Sequence, residues 1–174
     1  MKLILILALL ASITLLSACS KPIAYSGDGR LIDNGVTAPD HRYVIEVGNV
    51  DLARSGSFSF KMAGLPGSYF VVGLQIPVRS NQGSGEHPAT PANVSLEIVK
   101  EQGDMVALVI APLHDWTWSN PQHTDSAFVY LRESPRSYFD AFTENRYLVK
   151  VTVNVPDPSI AAGSLIVLKS AGWK

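Results

Sequence analysis

The sequence predicts an all-β fold, an antiparallel two-sheet β-sandwich of about eight strands in an immunoglobulin-like arrangement, and three observations lead there. After Tyr43 the apolar residues mostly alternate with polar ones, which is the period of half-buried strands. Turn chemistry recurs between these runs, at Gly64-Leu65-Pro66-Gly67, Gln102-Gly103-Asp104 and Pro156-Asp157-Pro158. No stretch after Cys19 carries a sustained amphipathic helical pattern, and short strands spaced by turns are the signature of a sandwich.

The strands can be justified in order. Tyr43-Val44-Ile45-Glu46-Val47, Ser57-Phe58-Ser59-Phe60 and Asn93-Val94-Ser95-Leu96-Glu97-Ile98-Val99 alternate with period two. Residues 68–78 and 105–110 are more continuously apolar, as strands covered on both faces or lying in a sandwich core are. Residues 127–131, 146–155 and 164–168 complete the set, with Lys150, Thr152 and Asn154 marking the wet face of the long strand. Residues 137–142 fit one helical turn, since Ser137 can cap and Asp140 holds the acidic position of a capping box. An irregular loop is the alternative there. Two long connections, residues 79–92 and 112–125, have the length at which loops are often functional.

The amino-terminal end divides from the rest. Lys2 supplies a positive charge, residues 3–16 an apolar run, and Ser17-Ala18 the small residues before Cys19, which together form a secretory signal. The run is shorter than the ~20 residues a spanning helix needs. Three segments are therefore expected: a signal over residues 1–18, a lipidated end and flexible tether over 19–41, and one sandwich domain over 42–174. The Ser-Gly-Asp-Gly, Asp-Asn-Gly and Ala-Pro-Asp sequences of the second segment motivate the tether.

The Leu16-Ser17-Ala18-Cys19 tetrad resembles the lipobox of bacterial lipoprotein precursors, whose cysteine is acylated and becomes the first residue after cleavage. That resemblance implies three acyl chains on Cys19, hence stable membrane attachment, since one chain alone holds only reversibly. Ser20 stands where the family's inner-membrane retention signal has Asp, which implies the outer membrane with the domain facing the periplasm. Cys19 is the only cysteine, so no intramolecular disulfide can form and a lipidated thiol is closed to catalysis and metal binding.

With 14 Lys and Arg against 15 Asp and Glu, the chain lacks the basic excess of a nucleic-acid binder, and neither nucleic acid nor an anionic surface is favoured as partner. A GxSxG elbow, an SxxK motif and a phosphate loop are absent, which argues against an enzyme. The densest group of chemically able side chains is His114, Asp115, Trp116, Trp118, His123 and Asp125. Imidazoles nine residues apart lack the fixed spacing of metal sites, so neither metal nor cofactor is expected. In an extended segment Trp116 and Trp118 share a face. They then either anchor a contact with a sugar or protein, or pack into the core.

Beyond the signal, Gly67-Ser68-Tyr69-Phe70-Val71-Val72-Gly73-Leu74 and the passage from Tyr138-Phe139-Asp140-Ala141 into Arg146-Tyr147-Leu148-Val149-Lys150-Val151 resemble the small β-sandwich lipoproteins of Gram-negative bacteria, some of which are immunity proteins against secreted effectors. The function expected is a non-enzymatic protein-binding module with a periplasmic protein partner, because catalytic motifs are absent and an anchor confines a binder where its partner arrives. The alternatives are an envelope hydrolase or carbohydrate-binding accessory working through residues 112–125, and a structural lipoprotein of a secretion or envelope assembly.

Overall fold

The computed structural model describes residues 24–35, 41–77, 90–119, 126–132, 134–160 and 163–170. Cys19 and the lipobox expected there, together with His123 and Asp125, lie outside these residues. Twelve strands follow in chain order: β1 (Ser26–Gly27), β2 (Arg30–Asp33), β3 (Tyr43–Val50), β4 (Gly56–Ala63), β5 (Ser68–Pro77), β6 (Asn93–Lys100), β7 (Met105–Pro112), β8 (Thr117–Ser119), β9 (Ser126–Tyr130), β10 (Tyr138–Ala141), β11 (Arg146–Val155) and β12 (Ser164–Ser170). They form two antiparallel sheets, five strands in the order β1-β4-β11-β6-β7 and seven along β2-β3-β12-β5-β9-β8 with β10 on β5.

Eight of these strands, β3 to β7 with β9, β11 and β12, make the sandwich proper. Ranked along the chain, they lie first-eighth-third-sixth in the larger sheet and second-seventh-fourth-fifth in the smaller. That order is a jelly roll, built from two Greek keys. The two-sheet antiparallel sandwich is as expected, and the immunoglobulin-like arrangement is replaced, because an immunoglobulin sheet pairs its first two strands whereas β3 and β4 lie in opposite sheets. The cause is local. Residues 51–55 carry the chain across the sandwich with Leu52 sunk to 1% exposure, and the Phe60 ring fills the space that a side chain on Gly48 would need.

Alternation places the core. Ile45 and Val47 of β3 and Phe70, Val72, Leu74 and Ile76 of β5, in the larger sheet, face Val94, Leu96 and Ile98 of β6 and Val149, Val151 and Val153 of β11, paired side by side in the smaller. Each such side chain contributes about 1.5–3 kcal/mol on full burial. The continuous apolarity of β5 has its own explanation. Its outward residues Val71 and Gly73 are also covered, by a second cluster in which Val71, Phe128 and Val167 are buried beneath Tyr130, Tyr138, Val44 and Leu165. The Phe128 ring lies over Gly73, where a Cβ would overlap it, and the Lys169 ammonium sits 4.0 Å from the centre of that ring.

Two expectations change here. Residues 137–142 are neither a helical turn nor a loop. Pro135–Ser137 form a 3-10 turn and β10 then pairs Tyr138 to Val71 and Ala141 to Ser68, continuing along the edge of β5 that β9 occupies at residues 73–77. Burying Phe139 and Ala141 and stacking Tyr138 on Tyr69 (centroids 5.5 Å apart) outweighs the capping signal. The expected tether also begins to fold early. Residues 26–33 form β1 on the edge of β4 and β2 on the edge of β3, so this strap bridges the two sheets.

Glycine makes the strap possible. Gly27 and Gly29 have φ of 126° and 78°, in the left-handed region, and a Cβ on them would overlap the carbonyl oxygens of Lys61 and Glu46. The Asp28 carboxylate accepts the Lys61 N–H at 2.7 Å, and the Tyr25 hydroxyl donates to the Asp28 carbonyl. Burial, helped by the Asp28 charge, pushes the Tyr25 hydroxyl up to about 12, so it remains a donor at neutral pH.

Candidate functional site

The segment singled out by its chemistry leaves β7 at Pro112, makes a 3-10 turn at Leu113–Asp115 and enters β8 at Thr117, passing from the smaller sheet to the larger. Trp116 and Trp118 do share a face, and that face is inward. Trp116 is 1% exposed in the main core, its indole N–H donating to the Ala111 carbonyl at 3.3 Å. Trp118 is half-buried against the same core, with its N–H on the Leu113 carbonyl at 3.1 Å. Of the two readings of the tryptophans, core packing is therefore the one observed for Trp116, and a contact role for that residue is withdrawn. The hydrogen bond from each ring, to Ala111 of β7 for Trp116 and to Leu113 of the turn for Trp118, satisfies the polar atom and lets the apolar body be buried.

What this packing presents to solvent is His114 and Asp115. Their side chains are both 57% exposed, with His114 Nε2 3.4 Å from Asp115 Oδ1. So exposed a pair contributes little to stability. Among the described residues no group of three or more His, Cys, Asp or Glu is placed to hold a metal.

Register sorts the connections between two ends of the sandwich. The pairings Asn93 to Pro112 and Ser164 to Val50 place residues 51–55, the exits from Pro77 and into Thr90, the His114 turn and residues 156–160 together at one end. The pairings Arg146 to Ala63, Tyr147 to Lys100 and Ala141 to Ser68 place the turns at 64–67, 101–104 and 142–145 at the other. The amino-terminal chain enters at this second end, where Ser26 pairs with Ala63 and a Cβ on Gly64 would overlap the Ala24 carbonyl. Strands of eight to ten residues hold the ends apart by about 30 Å.

The entry end carries features that sequence reading missed. A groove of about 500 Å³ opens on the outer side of the smaller sheet, floored by Leu148 and Val99, walled by β1 and edged by Lys61, Lys100 and Arg146. Glu101 also lines it, 3.9 Å from Arg146. Met105 and Phe142, at 51% and 49% exposure, are large apolar side chains turned to solvent at the same end. These residues are scattered through the sequence, and only strand register gathers them.

No family model and no curated protein matches this chain.

Proposed function

We propose that the chain is a membrane-anchored recognition domain without enzymatic activity, held by lipid on Cys19 at the periplasmic face of the outer membrane, and that it meets a protein partner with the end carrying His114 and Asp115. The observation that carries this reading is the polarity of the fold. The chain enters at one end of the sandwich, and the long connections begin and finish at the other. Ser26 is seven residues after Cys19, a reach of at most about 25 Å.

An anchor so close to the entry end supports presentation of the opposite end to the periplasm, and confinement raises the effective concentration of the module toward a partner arriving there. Trp116 and Trp118 serve the role indirectly. By fixing the turn to β7 they hold His114 and Asp115 in place, which limits the entropy lost on binding.

The test is site-specific photo-crosslinking of the full chain in cells, with the reactive group at His114 or Asp115 and, for comparison, at Ser59 on the outer face of the smaller sheet. A protein adduct of discrete mass from His114 and Asp115, absent from Ser59, is the expected result. Adducts from Ser59 alone would move the contact surface elsewhere.

A further inference from the structure

The strap covers only part of the β4 edge. β1 pairs with Met62 and Ala63, and the chain then turns away to β3. Where it departs, the Asp28 N–H donates to the Lys61 carbonyl at 2.8 Å and the Asp28 carboxylate accepts the Lys61 N–H. The Lys61 peptide groups therefore point away from β11. Because β4 and β11 pair without a bulge from Gly56 to Ala63, those of Ser57 and Ser59 point the same way. Among the described residues no strand or turn takes up these N–H and C=O groups. The side chains agree: Phe58 and Phe60 face into the sandwich yet are only half-buried, whereas Val151 and Val149, their partners on β11, are fully buried.

An edge of five residues, 56–60, with neither charge nor proline is a template for another strand. The pleat sets what that strand must carry: polar side chains opposite Ser57 and Ser59, and apolar or small ones opposite Phe58 and Phe60. Gly56-Ser57-Phe58-Ser59-Phe60 itself meets this requirement when run antiparallel about Phe58. Ser57 then opposes Ser59 of a second copy and Ser59 opposes Ser57, each pair exchanging two N–H to C=O bonds, while Phe58 meets its equivalent on the axis and Gly56 leaves room for Phe60. No like charges meet. The strap at Lys61 and the crossing at residues 51–55 bound the open stretch, so two copies cover each other from end to end.

We propose that two copies of this chain pair antiparallel through β4, joining their smaller sheets across a twofold axis at Phe58. Five residues a side make a small contact, so the pair is weak and depends on concentration. It goes beyond the reading of the His114 end and does not involve Cys19. β7, which leads to His114, is the opposite margin of the smaller sheet, so pairing leaves His114 and Asp115 uncovered.

The test uses the chain from residue 20, which keeps every described strand because these span residues 26–170, and omits both the apolar run of residues 3–16 and the only cysteine. Sedimentation equilibrium from about 10 µM to about 1 mM, the range of weak association, should show monomer and dimer in equilibrium. Ser59→Pro removes an N–H that β11 does not use, a position where an edge strand tolerates proline. It deletes two of the four interchain bonds and should raise the dissociation constant about tenfold or more. Two variants on the exposed face test the register without altering the backbone. Ser57→Lys with Ser59→Lys sets like charges opposite one another and should dissociate the pair, whereas Ser57→Lys with Ser59→Glu sets opposite charges there and should restore it, both at unaltered melting temperature. Monomer alone across the range, a pair that survives Ser59→Pro, or equal loss in the two charge variants would overturn the proposal. In cells, a crosslinked adduct from Ser59 at twice the mass of the chain reports this pairing and is separate from the adduct of the His114 end. An adduct from Ser59 of any other mass gives the edge to a different protein and overturns self-pairing.

Discussion

At the scale of single residues, burial decides what each side chain can do. Trp116 fills core space between the end of β7 and the larger sheet. Trp116→Ala is expected to cost about 3–5 kcal/mol of stability, whereas His114→Ala should stay within about 0.5 kcal/mol; urea unfolding of both variants checks the contrast. Asp157 is a second instance. Burial alone would raise its pKa, but the Ser159 hydroxyl at 2.7 Å, the Thr90 hydroxyl and the Ser159 N–H at 2.9 Å together outweigh it and hold the carboxyl below the ordinary value. A carboxylate depressed in the folded state contributes stability that is present above its unfolded pKa of about 3.9 and lost as pH falls through the lower folded value. Acid titration of stability should therefore show a decline below about pH 4 that is smaller in Asp157→Asn; identical profiles would remove Asp157 from the account.

At the scale of elements, the strap from β1 to β2 joins both sheets at their β4 and β3 edges. Ala at Gly27 or Gly29 must adopt a positive φ and displace a backbone carbonyl. Each substitution is expected to cost more than about 1 kcal/mol, read as a lowered melting temperature. The same strap shows what a sequence hides. Its Ser-Gly-Asp-Gly composition reads as linker because the glycines serve contacts with β3 and β4 that lie far along the chain. Strands with strict alternation were legible, and residues 146–155 coincide with β11 from end to end. β10 was not legible, because a capping pattern and a two-residue alternation compete over so few residues and distant Phe70 and Tyr147 decide between them through ring contacts at 6.0 and 5.7 Å from Phe139. Of the candidate site, the chemistry of His114 to Trp118 was visible, but not which members face inward. The entry-end groove was invisible, since its cations are separated by up to 85 positions, from Lys61 to Arg146.

At the scale of the whole molecule, the jelly-roll order converts chain position into direction. Strand pairing places the amino-terminal entry at one end and the His114 turn about 30 Å away at the other. No helix among the described residues is long and apolar enough to cross a membrane, and the attachment proposed here is by lipid on Cys19 instead. The proposed presentation of the His114 end turns on that residue. Mass spectrometry of the amino-terminal peptide, taken from protein extracted with the cell envelope, tests it most directly. A chain beginning at Cys19 with acyl groups on its thiol and amine is the predicted result, while a chain beginning at Met1 with a free Cys19 thiol would contradict the account.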